Sequence, residues 1–116
     1  MNLIELEKAI ARWSHDRGIL SNSTATTQTL KMVSEVGELC DNLAKGKCIK
    51  DDIGDVFVTL INVTRLSGYT IEECVTHAYD DIKDRKGFLN ENGTFVKSTE
   101  PGYEQLVMEF NNRATA

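Results

Sequence analysis

A hundred residues pass before the chain reaches its single proline, Pro101. Proline removes a helix hydrogen bond and clashes with the preceding turn, so its absence leaves room for long helices. The apolar spacing uses that room. Leu3, Leu6, Ile10 and Trp13 recur at steps of three and four, the period of one helix face. They predict a first helix from about Asn2 to Asp16, closed by Gly18. The capping types in Ser21–Thr24 open a second helix on which Leu30, Val33, Val36, Cys40 and Leu43 form one stripe, ended by Lys45-Gly46-Lys47. Asp51 and Asp52 start a third, with acids in the first turn as the helix dipole prefers. Its middle, Val56 to Val63, is nearly apolar all round, the pattern of a helix covered on more than one side. A chain of 116 residues has little with which to surround such a helix, so a homo-oligomer is expected. Thr70 and Glu73 have capping-box spacing for a fourth helix running to about Lys86. Asn92-Gly93 marks a hairpin turn within 88–97, and a short helix is expected around Tyr103 to Asn112. The fold class is therefore all-α: a four-helix bundle core with a short C-terminal β-hairpin, organised as a domain over 1–97 and a tail over 98–116.

Composition narrows the function. With 13 Lys and Arg against 18 Asp and Glu the formal charge is −5, the wrong sign for a protein that neutralises a nucleic-acid backbone. No apolar run approaches the roughly 18 residues of a membrane span, and the acids inside the first apolar pattern are unlike a signal peptide. Three cysteines without a CxxC argue against a disulfide framework and make a reducing, cytoplasmic setting the expectation.

One constellation carries chemistry. Glu35-Val36-Gly37-Glu38 on the second helix and Asp52-Ile53-Gly54-Asp55 on the third share the form acid, β-branched aliphatic, glycine, acid. Residues three apart are neighbours on a helix surface. Each pair therefore directs two carboxylates the same way, and both pairs are flanked by expected core positions, Val33, Val36, Ile53 and Val56. Four carboxylates near one interface repel unless they take up protons or a cation, and an oxygen-only set suits Mg²⁺, Mn²⁺ or Ca²⁺. Glycine inside a helix costs up to about 1 kcal/mol against alanine, which is reasonable where it lets a facing helix come close. The plainer alternative is a pair of solvated acidic faces on a helix-bundle interaction protein.

The segment Gln28 to Leu39, followed by Asp52-Ile53-Gly54-Asp55-Val56, resembles the MazG-like all-α nucleoside triphosphate pyrophosphohydrolases, whose hallmark is E-x-x-E on one helix and E-x-x-D on the next. Trp13 to Gly18 and Asp80 to Gly87 are similar to the small single-domain members from bacteria and phages. Two positions depart from the pattern: Ser34 stands where a further Glu is common, and Asp52 where Glu is usual. The resemblance implies Mg²⁺, or Mn²⁺, held by Glu35, Glu38, Asp52 and Asp55, with Glu35 or Glu38 orienting or deprotonating the attacking water. The reaction it implies is cleavage of an NTP or dNTP between the α- and β-phosphates, giving a nucleoside monophosphate and pyrophosphate. Lys31, Lys83 and Arg85 are then candidates for the outer phosphates, Asn62 for a sugar or phosphate, and Trp13 for stacking on the base. Relatives are dimers or tetramers. A non-catalytic nucleotide- or metal-binding module on the same fold is the alternative.

Overall fold

The computed structural model describes residues 1–115; Ala116, the end of the expected tail, lies outside them. Six helices and one hairpin follow in order: α1 (Leu3–Asp16), α2 (Ile19–Asn22), α3 (Ala25–Ala44), α4 (Lys50–Leu66), α5 (Ile71–Ile82), β1 (Gly87–Leu89), β2 (Phe95–Lys97) and α6 (Tyr103–Thr115). The all-α class stands. The chain divides into two compact units, Met1–Thr76 and His77–Ala116, so the division falls within α5.

In the first unit, Asn2 caps α1 by accepting from the Glu5 N–H at 2.8 Å, and Thr24 caps α3 by accepting from the Thr27 N–H at 3.1 Å. The single-turn α2 was not foreseen in the polar stretch before Thr24. α3 and α4 form the most extensive helix pair, and α1 packs on α4. What turns α3 back along α4 is its C-terminus. Gly46 adopts φ 68°, the Gly46 N–H donates to Leu43 O at 3.1 Å, and the Lys47 N–H donates to Asn42 O at 2.9 Å. That is the Schellman arrangement, which needs a left-handed residue at this point. A connection this short makes the two helices antiparallel neighbours and brings the two acidic segments alongside each other.

The helices do not meet through the expected apolar stripe. The α3 positions least open to solvent are Ala25, Gln28, Thr29, Met32, Glu35, Leu39 and Asn42, a stripe at steps of three and four. The expected stripe of Leu30, Val33, Val36, Cys40 and Leu43 faces solvent instead, with Leu30 67%, Val33 61% and Leu43 54% exposed. The reason is a buried polar network that claims the interface. Ser14 on α1 donates to Asn62 Oδ1 at 2.5 Å. Asn62 on α4 donates to Gln28 Oε1 at 3.2 Å, and Gln28 donates to Ser23 Oγ at 3.1 Å. Turning the apolar stripe inward would strand these amides without partners, a cost of about 1–3 kcal/mol per group. α4 likewise buries Asp52, Thr59, Asn62 and Thr64 with Ile61, while Ile53 is exposed. The flanking positions Val33, Val36 and Ile53 are therefore not core.

The apolar core of this unit is small: Ala11, Ile61 and Ile71, with Ile10, Phe57 and Leu60 packed on it. Glu7, buried on α1, ties the unit together by accepting from Arg65 Nη2 at 3.2 Å and from the Ile71 N–H at the start of α5 at 3.0 Å.

In the second unit α5 ends at Ile82 rather than near Lys86. Lys86 is drawn into the hairpin, its carbonyl accepting from the Ser98 N–H at 2.8 Å. The strands pair antiparallel, Phe88 opposite Val96. Their connection is a five-residue loop in which Gly93 takes φ 77° and Asn90 Oδ1 accepts from the Asn92 and Thr94 N–H groups, rather than a two-residue turn. Phe88 lies against Tyr103 and Phe110 of α6, ring centres 5.7 and 5.3 Å apart, and α6 outruns the expected helix by three residues. Among the described residues no helix is long and apolar enough to cross a membrane.

Candidate metal centre

Glu35 and Asp52 sit in the α3–α4 interface, 9% and 7% exposed, whereas Glu38 is exposed and Asp55 half-buried at its edge. Two of the four feel the charge of their neighbours. The Glu38 carboxyl is raised above its ordinary value chiefly by the Glu35 charge and a hydrogen bond with Glu35, then by desolvation and, more weakly, by Asp52. The Asp55 carboxyl is raised by desolvation first, then by Asp51, Glu35 and Asp52. In both cases Lys31 pulls the other way. Repulsion among like charges that favours the protonated form is the electrostatic condition of a site short of positive charge.

Two donors occupy the buried acids. Lys31 Nζ, one turn before Glu35 on the same face, is 3.2 Å from Glu35 Oε1. The Asn42 amide donates to both oxygens of Asp52, at 3.1 and 2.9 Å. Asn42 was missed in the sequence, although it lies one turn beyond Glu38 on α3, the position a facing carboxylate reaches. With the side chains in these orientations, no three His, Cys, Asp or Glu groups among the described residues surround a common point. The donor set itself, four carboxylates with Lys31 beside them, fits a hard divalent cation in chemistry.

The two motif glycines do not act as expected. A side chain on Gly37 or Gly54 would meet nothing within 4 Å, so neither marks a close approach between α3 and α4. Gly54 instead lines an apolar groove of about 760 Å³ formed by α1, α4 and the start of α5, with Leu3, Ile10, Phe57 and Ile71 among its walls and Asp51 and Asp55 at its edge.

The remaining candidates are scattered in role. Asn62 is 3% exposed and its amide is spent on Ser14 and Gln28. Trp13 is half-exposed, with the Arg17 guanidinium 5.1 Å from its ring centre. In the second unit Lys83 pairs with Asp80 at 3.4 Å and Arg85 with Asp81 at 3.0 Å.

No family model matches the sequence. Over 62 residues, 52% of its length, the chain is 44% identical to an uncharacterized 18.2 kDa protein from the rep-hol intergenic region of Haemophilus phage HP1, and it spans only 38% of that protein. The structure is similar to a MazG-like pyrophosphohydrolase of cyanophage S-2L, solved with dGDP and three catalytic Mn²⁺ ions per active site. The TM-score is 0.63 at 20% identity, covering 84% of this chain and 97% of that one. The chain thus has the all-α fold of the MazG-like pyrophosphohydrolases.

Proposed function

We propose that the chain is a divalent-metal-dependent nucleoside triphosphate pyrophosphohydrolase, cleaving NTP or dNTP between the α- and β-phosphates. What supports it most is a MazG-like fold whose antiparallel α3–α4 pair carries the two acidic pairs, Glu35/Glu38 and Asp52/Asp55, with Glu35 and Asp52 each raising the Glu38 and Asp55 carboxyls. Glu35, Glu38, Asp52 and Asp55 hold Mg²⁺ or Mn²⁺ in this reading. When bound, the cation supplies charge that separates the carboxylates from the triphosphate and stabilises charge developing on the phosphoryl oxygens.

The chain's own residues do the rest. Glu38, at the exposed edge of the site, orients a water toward the α-phosphorus and takes its proton as the new P–O bond forms. The bond to the bridging oxygen breaks, and pyrophosphate leaves with that oxygen. Lys31, released from Glu35, turns its ammonium to the outer phosphates. Trp13 offers an exposed face on which a base can stack. Lys83 and Arg85 remain candidates for phosphate contact once freed from Asp80 and Asp81, whereas a sugar or phosphate contact by Asn62 requires its network to open.

The proposal includes a second copy of the chain. Leu30, Val33 and Leu43 on α3 and Leu3, Ile4 and Ile53 along the α1–α4–α5 groove are exposed apolar side chains, and a second copy covers them. The three free, exposed thiols suit the reducing cytoplasm.

The test is a panel of NTPs and dNTPs with Mg²⁺ or Mn²⁺, its products separated by ion-exchange chromatography. Monophosphate with pyrophosphate is the expected outcome. Diphosphate with orthophosphate overturns the cleavage position, and binding without turnover identifies a non-catalytic module.

A further inference from the structure

We propose that Asn42 is a positioning residue for the metal centre, orienting the Asp52 carboxylate without neutralising it. The inference rests on the metal-dependent reading above. Asp52 is buried at the α3–α4 interface, and both of its oxygens accept from the Asn42 side-chain amide, at 3.1 and 2.9 Å. A buried carboxylate needs donors to remain ionised. The nature of the donor decides what the carboxylate can do next.

An ammonium at this place would form an ion pair and compete with any incoming cation. An amide fixes the plane of the carboxylate while leaving its full negative charge available. The contrast is within the site itself, because Glu35 is held by the Lys31 ammonium at 3.2 Å and must exchange one cation for another. Asp52 makes no such exchange. Each carboxylate oxygen has two lone pairs, so a cation can engage Asp52 while Asn42 keeps its hydrogen bond. Partners of this kind, one step removed from the ion, typically govern metal affinity by about 10–100-fold.

Shortening of the side chain matters here as well. Aspartate is one methylene shorter than the glutamate usual at this place in the family pattern, so its reach is less forgiving of a wrong rotamer. Asn42, on the last turn of α3, supplies the restraint from the opposite helix.

The experiment measures Mn²⁺ affinity of the nucleotide-free full chain by isothermal titration calorimetry, with melting in EDTA as the control for folding. Asn42→Ala and the near-isosteric Asn42→Leu both remove the donor. Alanine favours helix, and Asn42 is only partly buried, so folding is retained. Both variants are expected to bind Mn²⁺ about 10–100-fold more weakly, with melting in EDTA lowered by the loss of the donor to buried Asp52 but still cooperative. The proposal is overturned if both variants bind within twofold of the parent, or if Leu restores the affinity that Ala loses, which would make Asn42 a packing residue. A parent chain that binds no Mn²⁺ at all overturns the metal-dependent reading itself, so the two failures are separable.

Discussion

Replacing Leu30 and Val33 together by aspartate tests whether the outward stripe of α3 is an interface between copies. Complete burial of a Leu or Val side chain is worth about 1.5–3 kcal/mol. Leu30, Val33 and Leu43 retain more than half of their exposure and Val36 somewhat less, so covering each adds roughly 1 kcal/mol. In a two-fold dimer every side chain counts twice, and these four positions supply on the order of 8 kcal/mol before the cost of association. The double substitution forfeits about 4 kcal/mol of that burial and places four carboxylates in the contact, weakening association by about three decades or more. Sedimentation equilibrium over a range of concentrations reads this directly, with Lys8→Asp, an exposed change on α1, as the charge control. A parent chain that stays monomeric at about 100 µM, or a Leu30→Asp/Val33→Asp variant that associates as the parent does, would refute the argument.

The acidic site makes its own predictions. Glu38→Ala and Asp55→Ala should each reduce turnover by at least about a hundredfold, measured by pyrophosphate release, while the metal-free melting temperature holds or rises as repulsion is relieved. Because Glu38 and Asp55 hold protons above their ordinary values of 4.5 and 3.8, the folded chain binds more protons than the unfolded chain just above those values. Metal-free stability should therefore fall as pH rises through that window, and saturating Mn²⁺ should reduce the slope; melting curves in EDTA that rise with pH there would contradict it. Glu7→Ala removes the acceptor of both Arg65 and the Ile71 N–H, leaving a partly buried guanidinium whose Nε already has no hydrogen-bond partner. A loss of about 3 kcal/mol is expected by urea denaturation, and a loss under about 1 kcal/mol would deny Glu7 its role in joining α1, α4 and α5.

Much of the helical order was legible because it is written in local chemistry. Asn2, Thr24 and Thr70 cap where capping residues belong, and Gly46 stops α3 at the place a left-handed residue follows lysine. The acidic pairs were legible too, since two matched spacings on successive helices are rare as accidents. Which face of α3 turns inward was not. Apolar periodicity marks a face that avoids water without saying whether the cover comes from the same chain or another. The true contact stripe, Ala25, Gln28, Thr29, Met32, Glu35, Leu39 and Asn42, mixes polar and apolar residues and gives no hydrophobic signal. The Ser14–Asn62–Gln28 network was invisible for the same reason, as its members lie 34 and 48 residues apart in sequence and are recognisable only once paired. The end of α5 was misjudged because Lys83 to Lys86 are good helix formers, and strand pairing at Lys86 outweighs that preference.

The inverted burial and the acidic cluster explain each other. A helix pair that packs around carboxylates and amides gains little from hydrophobic burial, and the apolar core here is limited to a few residues of α1, α4 and α5. Repulsion between Glu35 and Glu38 and around Asp55 subtracts from what remains. Stability on the proposed reading is then supplied from outside the single chain, by a cation between α3 and α4 and by a second copy over the exposed stripe. A ligand present at a hundred times its dissociation constant contributes about 2.7 kcal/mol, a sizeable share of the 5–15 kcal/mol typical of a folded domain. Removing metal and diluting the protein should therefore each lower the same melting transition, their free-energy losses adding. Two separate transitions, one answering to EDTA and the other to dilution, would mean that site and interface are built on separate supports.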